Sequence, residues 1–292
     1  MHPALPLFSD KNAFITKVIS SRHTDFGSVV LLVCALGSLY SPSDSSLDGD
    51  LLLFYKYLHT YLHKSSNSLL EVSLTVHSIQ AAILAILAMQ RTREYCRSYW
   101  SAIGVAALLA EDSGMVKSQD EDTKRAWWAL YLLDKSFAIS YGRRVLLNAV
   151  NTNKPSASVL DGDIVAHLIS MAHLYAIAGD VVTHLYRKGS GRISVGEFDR
   201  RLDSWYDNHV YGTLATPSQL HQLRVVGYHV VKIFVHKRNL KVDEPRFDDS
   251  GFPVCISSAM QIISILHQLH VGSARKVYYT DALLNWSVGL AI

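Results

Sequence analysis

Between Val72 and Met89 the chain reads VSLTVHSIQAAILAILAM, apolar almost all the way round a helical wheel. A helix with no polar face to give to water has to lie at the centre of a larger body. The flanking sequence supplies that body. Leu51 to His63 has apolar residues at 51, 54, 55, 58 and 62, which is helical spacing. Arg93 to Ala110 mixes Tyr, Trp and small residues and leads into DSGM, where Gly114 is a natural helix stop. Residues 124–141, 161–186 (capped by Asp161 or Asp163), 194–207, 218–239 and 254–269 complete a helical series. Period-two, β-branched runs bounded by turn residues are few, so the expected fold is all-α. The polar connectors at 41–50 and 241–253 are not flexible linkers and no internal repeat occurs. One helical domain over residues 1–292 is the expectation.

Charge and cysteine usage narrow the functional classes. The chain is 49% hydrophobic and 18% charged, with a net charge of +3. Its basic groups, RTREYCR at 91–97, RRVL at 143–146, DRRLD at 199–203 and VHKRNLK at 235–241, are short and separated. No basic stripe of the kind that holds DNA is formed. Cys34, Cys96 and Cys255 lie far apart and make no CxxC pair, so reduced, buried thiols are expected and no zinc cluster. The longest apolar runs, VVLLVCALGSLY and SIQAAILAILAM, have 12 residues, short of the roughly 20 that span a bilayer. The first residues, MHPALPLFSDKN, lack a signal-peptide pattern. These features place the protein inside the cell, in nucleus or cytoplasm, with no membrane partner.

The most distinctive stretch is KRAWWALYLLDKSFAISYGRR at 124–144. It resembles the signature of the fungal-specific transcription factor domain, the regulatory middle region of binuclear zinc-cluster activators. Lys124, Arg125, Trp127, Trp128, Tyr131, Asp134, Gly142 and Arg143 fall on that pattern in register. VVLLVCALGSLYS, SLTVHSIQAAILAI, YWSAIGVAALLAEDSGM, the segment Ser194 to Trp205 and GYHVVKIFVHKRNL are similar to other family segments, in the same order. The resemblance implies an all-α regulatory domain. There are departures. The six cysteines of a zinc cluster are lacking, and Arg144 stands where the family has proline. Met115, Val116 and Lys117 replace Leu-His-Arg, and the sequence stops at NWSVGLAI, within what the family continues as an apolar helix. A regulatory domain without its DNA reader is one expectation; a gene start assigned too far downstream is another.

Trp127, Tyr131 and Asp134 lie within about 60° on the wheel, which turns the carboxylate toward the aromatic core. A buried carboxylate needs a cation or donors. Arg143, folded back by a tight turn at Gly142, is the first candidate partner and Arg125 the second. A clamp of this kind fixes where the next segment leaves the helix. The other reading makes Asp134 an acid or base whose pKa burial has raised. The family resemblance favours the clamp.

His59 with His63, and His267 with His270, have metal-ligand spacing but no third ligand, so no metal and no cofactor are expected. No nucleophile elbow, activated cysteine or phosphate loop occurs. His77, with Gln80 a turn further on, is the polar pair of the central helix. With Trp128, Tyr131 and Tyr141 it would line any pocket between that helix and the tryptophan helix. Two functions fit these features. The first is a regulatory domain linked to secondary metabolism, binding an apolar small effector or a protein partner but not DNA directly. The second is a cofactor-independent enzyme, a cyclase or cycloaddition catalyst for an apolar terpenoid or polyketide, acting by orientation alone. Its candidate catalytic residues are His77, Asp134 and Tyr141.

Overall fold

A computed structural model of the chain describes residues 7–20, 24–39, 75–89, 99–148, 152–156, 162–186, 193–211, 218–237 and 251–272. Among these residues there are helices and no strands. The helices are α1 (Lys11–Ser20), α2 (Thr24–Leu39), α3 (Val76–Met89), α4 (Tyr99–Asp112) and α5 (Glu121–Tyr141). There follow α6 (Gly162–Val181, continued as a π turn to Tyr186), α7 (Val195–His209), α8 (Gln219–His236) and α9 (Gly251–Gly272). The expected helix at 51–63, with His59 and His63, lies outside the described residues, as does Cys96.

Packing divides the chain into two compact units. One comprises Pro6–Leu130 and Asn148–Ser156, the other Met1–Leu5, Tyr131–Leu147 and Ala157–Ile292. We call them the amino and carboxy units. In the amino unit α3 packs against both α2 and α4. Ile79, Ala81, Ile83, Ala85, Ile86 and Leu87 are all at most 1% exposed. The small alanines let neighbouring helices approach from either side, which is how a helix without a polar face is accommodated.

In the carboxy unit α8 packs against α6, α7 and α9. A Cβ built on Gly227 of α8 would stand 2.8 Å from Met171 Cε and 3.0 Å from Leu174 Cδ2. The glycine therefore permits a close crossing with α6. Phe198, Leu202 and Trp205 form the buried stripe of α7, and the Trp205 indole donates to the Ser170 carbonyl at 2.9 Å. Ser194 and Ser218 cap α7 and α8 through the amides of Glu197 and His221.

Two expectations change. Cys34 is exposed, whereas Cys255 is buried. Gly162–Tyr186 and Gly251–Leu269 are each long and apolar enough to cross a bilayer by length and composition, though continuous apolar runs alone had indicated none. In the first of these, 67% of the window is buried inside the protein, as in a core helix.

Candidate functional site

The signature residues all lie on α5 or at the turn that ends it. Asp120 caps this helix by accepting from the Thr123 amide at 2.9 Å. At the other end Gly142, at φ 62°, takes the left-handed conformation that glycine adopts freely. The Arg143 amide then closes on the Ala138 carbonyl at 2.9 Å, so the chain turns sharply off the helix. From Arg125 to Ile139 every residue of α5 is buried.

In the carboxy unit Asp134 is 1% exposed. Its Oδ2 accepts from the amides of Leu146 (3.0 Å) and Leu147 (2.9 Å). The Lys135 ammonium donates to the Leu147 carbonyl, lies 3.8 Å from Asp134 Oδ2 and sits 4.6 Å from the centre of the Tyr131 ring. Acid and base thus grip the two polar sides of one stretch of backbone. The arginine expected beside Asp134 is replaced by a lysine and two amides, and the Arg143 side chain is exposed beyond the helix end.

Burial dominates the electrostatics. It raises the Asp134 pKa against the opposing pull of the Leu147 amide, Lys135 and the Leu146 amide. It lowers that of Lys135 against the attraction of Asp134 and Asp180. Both directions mean that desolvation outweighs the attraction within the pair. Tyr131 is pushed up to about 12, first by burial and then by the nearby charges of Asp134 and Asp180.

The amino unit repeats the device with other chemistry. Arg125, 1% exposed, donates to Glu121 Oε1 (3.2 Å), the Phe8 carbonyl (3.4 Å) and the Ser156 carbonyl (3.1 Å). Glu121 also accepts from the Ser156 amide at 2.7 Å. The Trp128 indole donates to the Asn153 carbonyl at 2.9 Å. The Asn153 side chain in turn donates to the Ser118 carbonyl at 3.2 Å. Arg125 therefore holds backbone of its own unit. In the amino unit, as helix positions fall from 128 to 125 and 121, the backbone positions they hold rise from 153 to 156; in the carboxy unit Asp134 holds 146 and 147. In both units, the chain after the turn runs back along the helix it has just left.

The remaining candidates separate. His77 and Gln80 are together in the amino unit, with His77 Nδ1 3.0 Å from Gln80 Oε1. Lys17 Nζ lies 2.7 Å from His77 Nε2, and the Gln80 amide donates to the Leu7 carbonyl at 3.0 Å. An ammonium can only donate, so in this arrangement Nε2 accepts from Lys17 and Nδ1 donates to Gln80 Oε1. Trp128 belongs to the amino unit, Tyr131 and Tyr141 to the carboxy unit. Tyr141 is 53% exposed and stacked on Phe137. His267 is exposed, and among the described residues no three His, Cys, Asp or Glu side chains cluster to hold a metal.

The residues that grip this backbone lie in the part of the chain that a family model covers. The model of the fungal specific transcription factor domain matches residues 1–161, which include α5 and the whole returning segment. The chain belongs to this family. That membership implies an intracellular protein with a transcription-factor-like regulatory role. No curated protein and no solved structure matches the chain at a significant level.

Lys135, Glu121 and Asn153 were not singled out in the sequence. For Lys135 one signal was present: it stands four residues after Tyr131, the spacing of a cation over an aromatic ring on one helix face.

Proposed function

We propose that this member of the family is a regulatory domain that binds an apolar small effector or a protein partner, and that any contact with DNA is made through another protein. The observation that supports this is the use of the signature. Arg125, Trp128 and Asp134 hold the backbone of Leu146–Leu147, Asn153 and Ser156, which has no helical or sheet bonds of its own there. A segment held by a few side chains has two discrete arrangements, gripped and released. A ligand that binds one of them better shifts the population. We further assign the domain to the control of secondary metabolism in the nucleus, where an apolar pathway product is a natural effector.

The test is a thermal-shift screen of the purified chain against apolar metabolites, followed by hydrogen exchange on any hit. An effector at 100 times its Kd should stabilise the protein by about 2.7 kcal/mol. Exchange at the Leu146 and Leu147 amides should change with it. Conversion of a polyene or terpenoid precursor to a cyclised product by the chain alone would replace this reading with the enzyme. Tight, sequence-specific binding of a DNA duplex would end the claim that DNA contact is indirect.

A further inference from the structure

The helix α9 is apolar on two faces. One face packs on α8 and buries Cys255, Ser258, Ile262 and Leu269. The other exposes Phe252 (49%), Ile256 (45%), Met260 (65%) and Ile263 (49%). At 100° per residue these four fall within an arc of about 80°, a continuous stripe. The whole helix, GFPVCISSAMQIISILHQLHVG, has no Asp, Glu, Lys or Arg.

We propose that this stripe is the contact between two copies of the chain, paired antiparallel about a two-fold axis. The spacing is close to its own mirror image, since the 252/263 and 256/260 pairs centre within half a residue of each other. With the axis at the level of Ser257 and Ser258, Phe252 meets Ile263 of the second copy and Ile256 meets Met260 on both sides. Ile256 and Met260 stand nearest the axis and pack across it, with the small Ala259 beside the stripe. The charge argument agrees. A neutral face desolvates no charge on meeting its own image, no like charges are juxtaposed, and antiparallel helix dipoles attract. The area sets the strength. Four half-exposed apolar side chains offer on the order of 400 Å² per copy. With their flanks the pair buries about 1,000 Å² in total, the low end for a specific contact. The dimer should therefore be reversible.

A lipid surface is the competing occupant of an uncharged apolar helix. It is disfavoured because interfacial helices carry Lys or Arg beside their apolar face, and α9 has neither.

The experiment is sedimentation velocity of the full chain from about 1 to 100 μM, the range expected for a weak contact. Monomer should give way to dimer. Ile256→Lys and Met260→Glu should each remove the dimer over that range while leaving the far-UV circular dichroism unchanged, since both side chains are exposed. The double variant should regain it, because the introduced ammonium of one copy then faces the introduced carboxylate of the other across the axis. A parallel pair would set like charges against each other and gain nothing. A chain that is monomeric throughout overturns the proposal. So does a dimer indifferent to both single variants, or a monomer that floats with neutral phosphatidylcholine vesicles and loses that binding on Met260→Glu.

Discussion

The two stretches of α5 do the same job with opposite electrostatics. At its start, Arg125 is buried but its acid, Glu121, keeps 26% of its side chain in water. The pair also carries three bonds to backbone, at Phe8, Ser156 and again Ser156. Towards its end, Asp134 and Lys135 are both inside, at 1% and 4% exposure, and burial moves both pKa values toward the neutral forms. A half-solvated pair tolerates damage because water can take the place of the lost partner. A dry pair does not. The difference predicts that the second clamp is the more fragile.

The largest effect should follow Asp134→Ala. It strands the Leu146 and Leu147 amides and leaves the buried Lys135 ammonium with Asp180 as its remaining acid, a loss of about 3–5 kcal/mol. Asp134→Asn keeps an acceptor for the amides and should lose less, so chemical denaturation of the two variants separates the bonds from the charge. The pH dependence has a definite sign. A raised folded pKa at Asp134 gives stability that is present below the unfolded value of 3.8 and lost as pH rises through the folded value. A lowered folded pKa at Lys135 gives stability present above 10.5 and lost as pH falls through the folded value. At neutral pH both groups therefore oppose folding. The double variant Asp134→Asn with Lys135→Met should be less destabilised than the sum of the singles, as a double-mutant cycle reads it. Strict additivity would mean that the two charges are not coupled.

Next in size is Arg125→Met, which keeps the stem and removes the fork. Two carbonyls lose a donor, but Glu121 can turn to solvent. A cost of about 2–3 kcal/mol is expected, below that of Asp134→Ala measured in the same way. If Arg125→Met proves the costlier of the two, solvent access is not what separates the clamps.

The helical class was legible because α3, α6 and α8 carry apolar residues at helical spacing over long stretches. The helix α1 was missed for a different reason: Phe14, Ile15, Val18 and Ile19 have helical spacing, but the helix is only 10 residues long and none of its residues is buried. Asp134 was legible as a polar residue on an aromatic face. Its partners were not. A wheel ranks residues by the face they share, but α5 is buried on every side from Arg125 to Ile139. Lys135, one step round from Asp134, is then as deep as the acid itself. The amides of Leu146 and Leu147 were invisible for a deeper reason: backbone donors leave no trace in side-chain pattern. Nor did the wheel show that Arg125 and Asp134 serve different segments, since that depends on where the chain goes after Gly142.

The smallest effect tests that turn. Gly142→Ala puts a Cβ on a residue at φ 62°, where nothing lies within 4 Å of it, so the cost is conformational and free of any clash. About 1 kcal/mol is expected, the usual penalty for a non-glycine residue in the left-handed region. Its value lies in how it combines with the clamps. Gly142 and Asp134 act on the same short excursion, one by setting the direction of the turn and the other by holding the backbone four and five residues later. Arg125 acts on Ser156, well beyond it. In an Asp134→Asn background the excursion is already loosened, so the chain can relax around an alanine and the cost should shrink. In an Arg125→Met background it should keep its full size. Equal costs in both backgrounds would show that the turn is set by the helix end alone and that the carboxylate only follows it.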